Sequence, residues 1–294
     1  MNKYNPMLDM VEIPDPGPDW VLDALKDSEL DVTKQIEAPK AIIQVVDQVA
    51  STHKYKRVFT LGNFSAIIGK AKTKKTYLLS AIVAALMDAG NIRWDKFVGN
   101  LYDRKLILYF DTEQGLWDCQ NVAKRIITMA GKDAKGEIKM YNLRKHTPEE
   151  RCKIIEFALM MHGDECLMCV IDGIADLAKA INDEEEATRL VSDLMRWTAE
   201  YNIHIATVIH QNKQDNYATG WLGSAIMKKC EIILQVTKDT ANPYTSFVEC
   251  ALSRSEDFDK FELSINHDGY PVIGGVDIQP ESFEFDVKIR NVPF

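Results

Sequence analysis

Apolar residues along this chain fall into blocks whose spacing switches between two periods. Phe64-Ser-Ala-Ile-Ile68, Lys105-Leu-Ile-Leu-Tyr-Phe-Asp111, Leu167 to Ile171 and His204 to Ile209 are short and apolar at nearly every position. Runs of that kind predict strands covered on both faces. Between them lie longer stretches at helical spacing: Lys75 to Ala89, stopped by Gly90, Leu116 to Ala130, stopped by Gly131, and Glu184 to Tyr201. A glycine just past the last periodic residue ends a helix because it takes the left-handed conformation at little cost. Thr147-Pro148-Glu149-Glu150 is a capping box with proline at the first helical position, and predicts a helix to about Met161. Ile138 to Leu143 predicts a further short strand, and Pro39 to Ala50, with Ile42, Ile43, Val46 and Val49 at helical spacing, an amphipathic helix. Past Trp221 a short helical stretch leads to strand-like Glu231 to Thr237 and Ser246 to Leu252. Phe261 to Ile265 and Tyr270 to Ile273, flanking Asn266-His267-Asp268-Gly269, read as a closing hairpin.

This alternation predicts an α/β fold with a mostly parallel central sheet flanked by helices and antiparallel strands at the C-terminal end. Prolines and mixed charge mark the first ~35 residues as an arm. The expected division is an N-terminal arm and helix over 1–55, a core over 56–275 and a tail over 276–294.

Composition narrows the classes. At 294 residues the chain can bury a large core. Its net charge of −9, from 35 Lys and Arg against 44 Asp and Glu, argues against broad nucleic-acid binding but allows a local basic channel. No apolar run nears the ~20 residues of a membrane span, and no signal pattern opens the chain. The six scattered cysteines suit a reducing cytoplasm. Cys166 and Cys169 form a C-x-x-C inside a strand, where a separation of three predicts opposite faces and buried thiols rather than a metal or redox pair. Asp183 to Glu186 reads as a solvated, dipole-favoured helix start.

The chemistry gathers where strands end. Gly69-Lys70-Ala71-Lys72-Thr73-Lys74-Lys75-Thr76, followed by Tyr77, matches a phosphate-binding loop except that Lys74 stands at the second glycine. Strand, lysine-rich loop and buried helix are the context this motif needs, since backbone N–H groups, the helix dipole and the lysines all attract a triphosphate. The plain alternative is a basic surface loop ahead of a helix. Asp111-Thr112-Glu113 follows the next buried strand, and Glu113 is positioned to orient and deprotonate a water. Asp172 ends Cys-Leu-Met-Cys-Val-Ile-Asp, the Walker B pattern, and with Thr76 supplies the oxygens that a phosphate-bound Mg²⁺ takes from protein. Asp176 reads as a turn residue. His210-Gln211-Asn212 closes another strand, and Gln211 is the candidate γ-phosphate sensor because it donates and accepts without changing charge.

The order of loop, acidic strand end, Walker B and polar strand end resembles the RecA-like ATPases, over about residues 60–265. Asp172-Gly-Ile-Ala-Asp-Leu177, Val208-Ile-His-Gln-Asn-Lys213, Gly220-Trp-Leu-Gly223 and the lysine-rich loop more closely resemble the AAA-25 or RepA-like branch, related to hexameric replicative helicases. The resemblance implies ATP and Mg²⁺ as ligands, a homo-oligomer (a hexameric ring or head-to-tail assembly), single-stranded DNA as partner, and work in replication or mobilisation of a phage or mobile element. It makes Glu113 the catalytic glutamate, Lys75 the phosphate lysine, Gln211 the switch and Arg254, within Ala251-Leu-Ser-Arg-Ser255, an arginine offered to a neighbour's γ-phosphate. The companion lysine two residues earlier is Leu252 here. It also implies DNA contacts by Lys213 and Tyr217 in the polar loop after Asn212. Lys74 fits such a loop if it takes helical dihedrals, and would add a cation near the β- and γ-phosphates. Two rivals are a nucleotide-gated binding module with little turnover and a small-molecule kinase.

Overall fold

The computed structural model describes residues 20–49, 51–180, 182–211, 218 and 220–276. The chain divides into two units, Met1–Ala38 and Pro39–Phe294. In the first, α1 (Trp20–Ser28) is amphipathic and buries none of its residues.

The second unit is mixed α/β. Its strands are β1 (Ala41–Val49), β2 (Thr52–Thr60), β3 (Phe64–Gly69), β4 (Ile92–Arg93), β5 (Phe97–Gly99), β6 (Leu106–Asp111), β7 (Glu137–Asn142), β8 (Cys166–Asp172), β9 (His204–His210), β10 (Ile232–Lys238), β11 (Thr245–Ser253), β12 (Phe261–Ile265) and β13 (Pro271–Ile273). Its helices are α2 (Lys75–Met87), α3 (Leu116–Ala130), α4 (Pro148–His162), α5 (Glu184–Glu200) and α6 (Gly220–Lys229). A nine-stranded sheet runs β13-β12-β11-β10-β3-β9-β8-β6-β7. β10, β3, β9, β8, β6 and β7 are parallel, whereas β11, β12 and β13 add on antiparallel. A second, antiparallel sheet runs β2-β1-β5-β4.

Two apolar clusters cover the faces of the large sheet. One joins α2, α3 and the small sheet through Leu78, Ile82, Ile126, Phe59 and Phe97. The other joins α4, α5 and α6 through Leu159, Leu194, Trp197 and Ile226. β3, β6 and β8 are buried at every position, as their unbroken apolar sequence requires. α2 is apolar on nearly every side because it is wedged between the two sheets, with all but Thr76 and Tyr77 buried.

The helix expected over Pro39 to Ala50 is instead the strand β1. Ile42, Ile43, Val45 and Val46 are β-branched and pack better on a pleated surface than around a helix. Register shifts between Ala41 and Ile43 and between Ile43 and Gln44 let the adjacent Ile42 and Ile43 both bury, and so imitate helical spacing. A similar irregularity corrects the cysteine reading. β8 shifts register between its pairings Leu106–Cys166 and Ile107–Met168, so Cys166 and Cys169 point into the same cluster rather than to opposite faces. Both are buried free thiols, and burial pushes Cys166 up to about 12. Among the described residues no helix is long and apolar enough to cross a membrane.

Candidate functional site

In parallel sheets of this kind, loops leave the carboxyl ends of the strands and polar groups collect there. Gly69 ends β3, the loop turns through Lys70 to Lys74, and α2 begins at Lys75. A Cβ on Gly69 would meet the Val236 carbonyl oxygen at 2.5 Å and Thr73 Oγ1 at 2.6 Å, so only glycine fits. Lys70, Ala71 and Lys72 are exposed, whereas Thr73 is buried and donates to the Lys70 carbonyl at 3.0 Å.

Lys74 does not take helical dihedrals. It caps α2 in the left-handed conformation, φ 71° and ψ 26°, where the loop pattern has glycine. Lys72 also has positive φ, 63°. Such residues carry roughly 1 kcal/mol of strain each. The Lys74 ammonium turns toward β11 and donates to Ser246 Oγ at 3.1 Å. β11 lies two strands from β3, across β10. The cation expected beside the terminal phosphates is therefore directed to the other side of the loop.

Lys75 is the buried cation of the site. Its ammonium donates to the Gly69 carbonyl at 2.9 Å and the Lys70 carbonyl at 3.0 Å, and to His210 Nδ1 at 3.2 Å. Burial pushes its pKa down more than the Asp172 and Glu113 charges raise it. An ammonium held by neutral acceptors at the mouth of a helix is a seat that a polyphosphate oxygen fits.

Asp172 ends β8 beside Asp111, which ends β6. One oxygen of Asp172, Oδ2, accepts from Thr76 Oγ1 at 3.1 Å and from the Tyr109 hydroxyl at 2.9 Å. Burial, and then the Asp111 charge, raise its pKa to about 6. Asp111 performs a different task. Its Oδ1 accepts from the Glu113 and Gln114 N–H groups at 3.1 and 2.8 Å, and its Oδ2 from the Gln114 side chain at 2.6 Å. The turn so fixed delivers Glu113 half-exposed, with Oε1 3.4 Å from His210 Nε2. That histidine contact leads the causes holding the Glu113 carboxyl below its usual range.

His210 joins the groups that the sequence singles out. It ends β9 opposite Gly69 and spans Lys75 and Glu113, accepting at Nδ1 and donating from Nε2. Gln211 is buried, and its N–H donates to the Gly69 carbonyl at 3.1 Å. The signal for His210 is its register: β9 lies between β3 and β8 and shares their end. Tyr109 carries no such signal, since it sits within an otherwise apolar strand. Asp176 is the turn residue expected, accepting from Thr112 Oγ1 at 2.8 Å. A Cβ on Gly173, at φ 107°, would meet that hydroxyl at 2.1 Å. Arg151 ties the neighbouring loops together through the carbonyls of Leu143, Arg144 and Asp176. Tyr77 lies under the Arg125 guanidinium, 4.1 Å from its ring centroid, and Arg125 also donates to Ser80 Oγ at 3.1 Å.

Arg254 lies at the opposite end of the sheet. Its N–H and guanidinium donate to the carbonyls of Glu231 and Lys229, each at 2.9 Å, where β11 meets the start of β10. Within one chain it stands apart from the phosphate loop. Lys213 and Tyr217 lie outside the described residues.

The donor set suits a phosphate-borne Mg²⁺. Among the described residues no cluster of three or more His, Cys, Asp or Glu forms a protein-only cage. Mg²⁺ that arrives on phosphates needs a hydroxyl and one or two carboxylates, and Thr76 and Asp172 are in contact here. No known protein-family profile matches the chain, and no curated protein matches it.

Proposed function

We infer that this chain is a RecA-like, Mg²⁺-dependent ATPase that works on DNA in replication or mobilisation, assembled head to tail. The observation that carries the reading is convergence: Lys75, the Thr76–Asp172 pair and the Glu113–His210 pair meet at the adjoining ends of β3, β8, β6 and β9. Lys75 exchanges the Gly69 and Lys70 carbonyls for oxygens of the β- and γ-phosphates, while loop N–H groups hold the rest of the chain. Thr76 and Asp172 would hold the Mg²⁺, which would supply charge neutralisation at the phosphates. Glu113, aimed by the Asp111-capped turn, orients a water in line with the γ-phosphorus and takes its proton. His210, bonded to both Lys75 and Glu113, would respond when a γ-phosphate parts them, with Gln211 passing the change on to Lys213 and Tyr217. Arg254 is offered to the neighbouring subunit's site.

A second reading keeps binding and omits useful turnover. It is favoured by the left-handed Lys74 and by a Lys75 already closed onto its own loop. ATP turnover with and without single-stranded DNA separates the two. A DNA-stimulated rate, with a mass in solution that grows on adding Mg-ATP, is the expected result. Tight binding with negligible turnover selects the switch, and no nucleotide uptake sinks both.

A further inference from the structure

The order of strands gives the nucleotide a direction. Asp172 and Glu113 follow β8 and β6, both on the β9 side of β3. On the nucleotide reading above, on which this inference rests, the terminal phosphate lies on that side. The nucleoside end must then lie on the other, over β10 and β11.

That side carries an arrangement with no part in the chemistry described so far. Lys238, the last residue of β10, is the direct cross-strand partner of Ser246 on β11. Direct partners share a face of the sheet. Two residues inward on each strand, Val236 and Val248 lie in the cluster that packs α2, so Lys238 and Ser246 prolong the α2 face beyond the sheet's edge. Lys74 reaches this row from the phosphate loop and bonds Ser246. Burial, and then repulsion from Lys238, hold the Lys74 pKa down. The adjacent carboxylate, Asp239, accepts from its own loop's Ala241 N–H at 2.9 Å. Just outside β11, Tyr244 precedes Ser246 by two positions and is 79 % exposed.

We propose that Lys74, held by Ser246, and Lys238, the cross-strand partner of Ser246, seat the phosphate nearest the nucleoside, and that Tyr244 is the platform on which the base stacks. Two cations that repel each other gain when an anion comes between them. An aromatic side chain exposed in the turn two residues before Ser246 takes a base of any identity by stacking. Lys74 thus exchanges the glycine's backbone freedom for a cation at the nucleoside end of the site, its side chain reaching Ser246 on β11.

The test is titration of Mg-ADP and Mg-tripolyphosphate, by calorimetry, into the full chain and four variants whose melting curves confirm folding. Lys75→Ala abolishes both ligands. Lys238→Ala weakens both by roughly tenfold. Lys74→Gly also weakens both, although it restores the glycine of the loop pattern. Tyr244→Ala weakens ADP by roughly tenfold and leaves tripolyphosphate unchanged. If Lys75→Ala abolishes binding while Lys238→Ala, Tyr244→Ala and Lys74→Gly all bind ADP like the parent, the nucleotide reading stands and this subsite is wrong. If the parent chain takes up no ADP, both fail together.

Discussion

The two ends of β9 each carry a histidine, and the two could hardly differ more. At the amino end, His204 is fully buried, stacked on Phe59 with ring centroids 4.4 Å apart. Its Nδ1–H donates to the Thr60 carbonyl at 2.8 Å, and its Nε2 accepts from Ser65 Oγ at 2.9 Å. Burial pushes its pKa down to about 3. At the carboxyl end, His210 is half-exposed and spans Lys75 and Glu113. One strand thus uses the same side chain as a neutral structural peg at one end and as a link in a charged site at the other. Environment decides the role: a desolvated imidazole with both nitrogens bonded to fixed groups is held neutral, and one between a cation and a carboxylate is coupled to whatever binds them.

On the proposed function, the contrast between a site end and a structural end predicts separable effects. The largest falls on turnover. Glu113→Gln keeps the shape of the His210 contact, loses the base, and lowers ATP hydrolysis by about 10²–10⁴, while urea unfolding stays where it was. An unchanged rate would remove Glu113 from the chemistry.

The structural end responds in stability instead. His204→Ala leaves a cavity against Phe59 and orphans Ser65 and the Thr60 carbonyl, which together cost about 3–5 kcal/mol. Nucleotide affinity of the folded variant should stay within twofold, and a large loss would show that the two ends are coupled. Acid probes the same residue. The folded pKa lies below the unfolded one, so its contribution to stability is fully present above about pH 6.5 and is lost as pH falls toward 3. Denaturant unfolding should show a decline of roughly 3 kcal/mol from this group between pH 7 and 4. His204→Phe, which cannot titrate, should flatten that part of the profile.

Smaller effects return to the site end. His210→Ala should slow turnover by about tenfold, because Glu113 loses an aligning partner but keeps its turn, and unfolding should move by less than about 0.5 kcal/mol. Equal losses of stability and rate would make His210 a second peg. Lys74→Gly relieves the left-handed strain and should raise stability by about 1 kcal/mol. A drop in melting temperature would mean that the Ser246 bond outweighs the strain.

Much of this could be read from the chain before any contact was known. The helix over Leu116–Ala130 and the capping box at Thr147 depend on neighbours a few residues away, and both form as their spacing requires. Lys75, Thr76, Glu113 and Asp172 are legible as candidates because each follows directly on a buried strand or glycine turn, and the structure brings all four to one end of the sheet. β1 was not legible, since its bulged pairing with β2 reproduces a helix's spacing. Neither was Tyr109, whose hydroxyl finds Asp172 from a neighbouring strand.

The sequence by itself determined the alternation of strand and helix, the glycine-and-lysine loop and the carboxylates at its flanks, all of which are set by interactions within a few residues. Only the tertiary structure decided which histidine meets Lys75 and Glu113, where the Lys74 ammonium goes and how Asp172 is held. Those follow from strand order and register, which bring together residues such as Lys74 and Ser246 that lie far apart along the chain. Periodicity fixes which way a side chain faces but not what it meets there.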